Sequence, residues 1–108
     1  MNEASARELA LAEISVMQAE VDRVNEDKRA HQLPVREVHY VITSVRRISE
    51  TWCVFYNNRL YVESGEASHA LAGNGPFLIS SDGRIGRAGS ALPPAHYVAE
   101  FEAHQQAP

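Results

Sequence analysis

The chain has 108 residues, 44% of them hydrophobic, so it can build one modest core and is too apolar for wholesale disorder. Its formal net charge of −4 argues against nucleic acid or an anionic membrane as the main partner, and no apolar run approaches the roughly 18–20 residues of a membrane span. A single cysteine excludes an internal disulfide, and the acidic N-terminus lacks the basic-then-apolar pattern of a signal peptide, so a cytoplasmic location is expected.

Charge is unevenly spread. Residues 1–27 carry seven acids against two bases, Arg7 and Arg23, whereas residues 28–63 carry six bases (Lys28, Arg29, Arg36, Arg46, Arg47 and Arg59) against three acids. Solvated faces of a helix and a sheet account for this; an acidic surface that meets a basic partner is the sharper reading.

At the N-terminus, Ser5-Ala-Arg-Glu8 has the form of a capping box. Ala10, Ile14, Met17, Val21 and Val24 then recur at steps of four, three, four and three, which predicts a long helix from about Ala6 to Asp27 with one apolar stripe. A polar connector reaches Pro34, and Val38 to Ile48 reads as a strand with Tyr40, Ile42 and Ser44 on one face. Glu50-Thr51 is a polar break. Trp52 to Tyr56 is apolar on both faces, as a central strand covered on both sides would be.

Asn57-Asn58 is the best short hairpin turn in the chain, because asparagine tolerates positive φ, and Leu60 to Val62 is then expected to return as a strand. Ser64 to Ala72 reads as one or two helical turns, with Ser64 as N-cap and Gly73 closing them in a left-handed conformation. Phe77 to Ser80 is a further strand, Ser81-Asp82-Gly83 a tight turn, and Arg84 to Ala88 a weaker returning strand. Pro93-Pro94 opens a last helix to about His104 with Tyr97, Val98 and Phe101 on its apolar side; the tail from Gln105 to Pro108 reads as frayed. The expected architecture is α+β in a single domain, residues 1–108. The long N-terminal helix packs on a 4–5-stranded antiparallel sheet, with a short connecting helix and a C-terminal helix.

Catalytic chemistry finds little support in these residues. Cys53 falls mid-strand among apolar neighbours, where a thiol is an inert core residue. The five histidines lack the pairwise spacing of metal ligands, so no metal or other cofactor is expected. Gly73-Asn74-Gly75 precedes a strand and not a helix N-terminus, which is the wrong setting for a phosphate cradle. Trp52, Tyr56 and Tyr61 lack an interleaved basic stripe for stacking bases, and core packing accounts for them.

The run Trp52-Cys-Val-Phe-Tyr-Asn-Asn-Arg-Leu-Tyr-Val-Glu-Ser-Gly65 resembles the signature of the bacterial immunity protein 35 family, the YrhB-like immunity proteins of polymorphic toxin systems. Trp52, Tyr56, Asn57, Tyr61, Glu63, Gly65, Leu71, Gly73, Asn74 and Pro76 match that pattern, and Gly83, Ile85, Gly89, Ser90, Tyr97 and Phe101-Glu102 match its closing part. Ser64 stands where threonine is usual, the turn at Ser80–Gly83 is one residue shorter, and the N-terminal third does not visibly carry the pattern.

The resemblance implies a non-enzymatic immunity protein that forms a heterodimer with a cognate toxin in the cytosol and blocks its active site. Toxins of such systems include papain-like peptidases and deamidases, and by analogy a cystatin-like helix-on-sheet architecture would suit such a partner. The alternative is a small holdase-like chaperone that binds unfolded clients; homo-oligomerisation is left open. Geometry nominates Glu63, Glu66, His69 and Asn74, with Asn57 and Asn58 at the expected turn, as partner-binding residues. The acidic helix residues Glu13, Glu20 and Asp22 form the alternative face. Each of these also has a plain structural use in capping, turn formation or solubility.

Overall fold

A computed structural model describes residues 1–105. Helix α1 runs Glu3–Ala30, longer than its apolar stripe predicts at both ends. The cap is Asn2 and not Ser5: the Asn2 side chain accepts from the Ser5 amide at 2.9 Å, so Ser5 already lies inside the first turn. Lys28 and Arg29 in the last turn favour the far end through the helix dipole.

Ala6, Ala10 and Ile14 are buried, with Leu9 and Met17 packed beside them. Beyond Met17 the apolar stripe gives way to amides. Val24 is 36% exposed, and the buried residue of that half is Asn25. The helix thus has an apolar half that covers the sheet and a polar half with a different task.

Strand β1 (Tyr40–Ile48) pairs antiparallel with β2 (Thr51–Asn58), β2 with β3 (Phe77–Ile79), and β3 with β4 (Ile85–Arg87), in the order β1-β2-β3-β4. This is the antiparallel α+β arrangement read from the sequence, with four strands. A bulge between Ile42 and Ser44 makes Thr43 the extra residue, so the strict alternation expected along β1 breaks there. Past the bulge Val45 joins Tyr40 and Ile42 on the α1 side. The β1–β2 connection is the two-residue turn Ser49-Glu50, with Ser49 at φ 56.

Strand β2 is the central strand, as its two apolar faces predict. Val54 and Tyr56 pack with Phe77, Ile79 and the N-terminal half of α1; Tyr56 stacks on Phe77 with ring centroids 5.0 Å apart. Cys53 faces the other way, with Leu78 and Ala88, under Val98 of α3 (Pro94–Gln105). Burying each of these large side chains contributes about 1.5–3 kcal/mol before entropy. Gln105 closes α3, and the rest of the tail expected to fray lies outside the described residues.

The largest departure from expectation follows Asn57-Asn58. No turn forms there: both asparagines belong to β2, and Arg59–Ser64 is helix α2, not a strand. Asn58 serves as its N-cap, with the Leu60 amide 3.3 Å from its Oδ1. The short polar side chain that suits asparagine to turns suits it equally to a helix start. Ser64 therefore ends a helix, and Gly65 closes it at φ 73 with its N–H on the Tyr61 carbonyl at 2.7 Å. A short 3₁₀ turn, Ala67–His69, follows.

Candidate functional site

The connection from Arg59 to Pro76 holds most of the residues that the sequence nominates, and the asparagines among them are engaged within the chain. Asn58 is fully buried. Its Oδ1 also accepts from the His39 amide at 3.0 Å, while its Nδ2 donates to the Glu37 carbonyl at 3.0 Å. A partner cannot reach it, which corrects its nomination as a turn contact. Asn57 Oδ1 accepts from the Leu71 amide at 3.0 Å, and Asn74 Nδ2 donates to the Tyr56 carbonyl at 3.0 Å. These two half-buried amides pin the returning loop to β2.

Arg36 closes the same loop from the other side, donating to the Ala70 carbonyl at 2.6 Å. Gly73 takes the left-handed conformation expected of it (φ 75), though at a bend and not at a helix end. At Gly75 a Cβ would lie 2.1 Å from the Ala88 carbonyl oxygen, so this glycine permits a close backbone approach. The Gly73–Gly75 segment shapes the chain path.

Glu63, Glu66 and His69 remain accessible. Glu63 is exposed on α2, 3.7 Å from Arg59, and Glu66 lies 3.5 Å from half-buried His69. On α1, Glu20 pairs with Arg23 at 2.5 Å and Asp22 accepts from Gln18, while Glu13 is half-buried. The two nominated faces are separate parts of the surface carried by different elements.

Of three residues with structural reach, Gln18 and Asn25 were not singled out from the sequence, and Glu102 figured there only as part of the family pattern. Gln18 Nε2 donates to the Val38 carbonyl at 2.8 Å and its Oε1 accepts from the Tyr40 amide at 2.9 Å. Asn25 Nδ2 donates to the Arg36 carbonyl at 2.9 Å. Both continue the Ala6–Ala10–Ile14 face at steps of four and seven, a spacing that was available to find them. Glu102 on α3 accepts from the Thr51 hydroxyl at 2.9 Å and the Glu50 amide at 3.1 Å. Hydrogen bonds from the Ser49 hydroxyl first, then Thr51 and the Glu50 amide, hold its carboxyl below the usual carboxylate range despite some burial.

Electrostatics elsewhere point away from covalent chemistry. Burial pushes the Cys53 thiol up, against a smaller opposing pull from Arg46, so the nucleophilic thiolate is disfavoured. No cluster of three or more potential metal ligands forms among the described residues. A cavity of about 200 Å³ between α3 and β3–β4, lined by Leu78, Gly86, Tyr97 and Phe101 among others, is smaller than the roughly 300 Å³ at which ligand pockets begin. Among the described residues no helix is long and apolar enough to cross a membrane.

Comparison with known proteins agrees with the motif in Trp52–Gly65. The model of the family described as Immunity protein 35 matches residues 18–103. The match starts within α1, farther toward the N-terminus than the legible motif, and so includes Gln18 and Asn25. The chain is 36% identical over 76 residues to the uncharacterized protein YrhB of Escherichia coli (strain K12), covering 69% of this chain and 81% of that protein. No solved structure matches the chain at a significant level.

Proposed function

The chain belongs to the Immunity protein 35 family, and from that premise we propose that it binds a cognate protein toxin in the cytosol and neutralises it by covering the toxin's active site. The observation that carries this reading is the family match over residues 18–103, which takes in the whole sheet and the Arg59–Pro76 connection. The chemistry of the site agrees with it. Hydrogen bonds from Asn57, Asn74 and Arg36 hold the path of the connection, and the cysteine is buried under α3. Such a protein acts through its surface, not through a reaction. The exposed Glu63 and Glu66, with half-buried His69 beside them, belong to the contact surface, which in a complex of standard size buries about 1,600 Å² in total.

Co-expression with the product of the gene adjacent to its own tests the proposal. The expected result is rescue of growth and a one-to-one complex on size exclusion. Unrelieved toxicity would overturn it, and broad capture of unfolded clients without a defined complex would establish the holdase alternative instead.

A further inference from the structure

The sheet has two edges, and they differ. Strand β4 is three residues long, whereas β1 runs nine residues with β2 on one side. An edge strand displays a row of backbone N–H and C=O groups, and proteins guard such rows with bulges, charges or covering elements.

Hydrogen-bonding phase along this segment follows from its turn. A two-residue hairpin loop makes Ile48 and Thr51 a hydrogen-bonded pair, so residues 48, 46 and 44 direct their backbone groups toward β2. Arg47 and Val45 then direct theirs outward. Beyond the bulge the outward set becomes Ile42 and Tyr40. The Tyr40 amide bound by Gln18 and the Arg59 amide on the His39 carbonyl at 2.7 Å confirm that phase independently.

Three outward groups at the start of the segment are engaged by α1. Asn25 takes the Arg36 carbonyl, and Gln18 takes the Val38 carbonyl and the Tyr40 amide. Inward groups of the same stretch are met by Asn58, which takes the Glu37 carbonyl and the His39 amide. After Tyr40 this side-chain cover ends. Ile42, Val45 and Arg47 have no such partner among the described residues, and the bulge at Thr43 confines the uninterrupted open row to Val45–Ile48.

We propose that this open edge of β1 receives an extended, acidic strand of the partner protein, which adds antiparallel or parallel to the sheet beyond Val45 and Arg47. The proposal rests on the toxin-binding reading and adds the β1 edge to the contact surface that reading already draws at Glu63, Glu66 and His69. Charge selects the occupant. Arg46 lies exposed on one face over the Phe55 ring at 4.9 Å, and Arg47 on the other over Trp52 at 5.6 Å. Arg47 pairs with Glu50 of the adjoining turn at 3.0 Å; Arg46 has no ion pair among the described residues. A second copy paired across this short row would set four guanidinium groups side by side, and like charges opposite one another destabilise a sheet. Carboxylates on an incoming strand would meet both arginines, while main-chain bonds supply the remaining attraction.

The test follows amide exchange by NMR in the intact protein with a terminally blocked hexapeptide, Thr-Glu-Val-Glu-Val-Thr, and the same peptide with lysine for glutamate. The acidic peptide at millimolar concentration is expected to slow exchange at Val45 and Arg47, and the lysine peptide is expected not to. Arg46→Glu, which keeps every backbone donor, should weaken the acidic peptide by about tenfold, equivalent to about 1.4 kcal/mol. Arg47→Pro removes an outward N–H at an edge position that tolerates proline and should abolish the protection at Val45, the amide that remains to be read.

Absence of protection at Val45 and Arg47, or equal binding of the lysine peptide, would overturn the proposal. Concentration-dependent protection without any peptide would overturn it too, in favour of a second copy. Failure of toxin rescue in the co-expression experiment bears on the proposed function alone, because the peptide measurement does not use the toxin.

Discussion

Arg36–Tyr40 and Ile42–Arg47 are neighbouring stretches of one extended segment, yet the chain treats them oppositely. The first is clamped on both edges by buried or half-buried amides: Gln18 and Asn25 from α1, and Asn58 from β2. The second has β2 on one edge and bare backbone on the other. The difference teaches that α1 is long for two reasons. Its first half buries apolar surface on the sheet, and its second half replaces a missing neighbour strand with side-chain amides. Where that second half stops supplying amides, the edge becomes open to a partner.

Breaking the clamped stretch should have the largest effect. Asn58→Ala removes bonds to two backbone amides and one carbonyl in a fully buried position, so about 2–4 kcal/mol of stability should be lost in urea denaturation at pH 7. Asn58→Asp should be nearly as costly, since its second oxygen would face the Glu37 carbonyl in place of a donor. A loss below ~0.5 kcal/mol for the alanine variant would show that water or a rearranged backbone replaces these bonds.

Gln18→Ala should lose about 1–2 kcal/mol, because the freed Val38 carbonyl and Tyr40 amide are partly reachable by water. Its diagnostic readout is local: Tyr40 amide exchange should approach the rate of Val45, which converts the clamped stretch into a second open one.

Glu102 acts on the far end of the open stretch, where it anchors the Ser49-Glu50 turn to α3. Glu102→Gln should destabilise by about 1 kcal/mol near neutrality, after allowance for solvent screening. The pH dependence has a definite sign. The folded carboxyl titrates below its unfolded value, so its contribution is present above the unfolded pKa and is lost as pH falls through the folded one. The wild type should therefore lose part of its stability through that acid window, and the difference between wild type and Glu102→Gln should shrink there. A constant difference across the window would refute the charged interaction.

Substitution of the exposed connection should matter least to folding. Glu63→Ala removes an exposed 3.7 Å pair with Arg59 and should change stability by no more than about 0.5 kcal/mol, while toxin affinity falls. Unchanged affinity for the Glu63→Ala and Glu66→Ala variants would remove this face from the proposed contact surface.

The sequence made the apolar periodicity of α1, the doubly apolar β2 and the proline-opened α3 legible, because each of those signals is local. It did not make Asn57-Asn58 legible. An asparagine pair before Leu-Tyr-Val fits a hairpin by local preference, but the buried Asn58 amide is recruited by Glu37 and His39, about twenty residues away, and turns the same chemistry into a helix cap. The Thr43 bulge was hidden for a similar reason: alternation looked continuous until pairing with Phe55 shifted the register. Of the candidate site, the family motif was readable, and Glu63 and Glu66 are exposed as expected while His69 is half-buried. The clamping roles of Gln18 and Asn25 depend on which chain segment returns alongside α1, which no single segment states.

Residue-resolved amide exchange of the free protein at low concentration tests the central contrast most directly. The account predicts a slow Tyr40 amide beside fast Val45 and Arg47 amides within the same strand. Equal protection across residues 40–47 would contradict it, and so would fast exchange at Tyr40 with Gln18 intact.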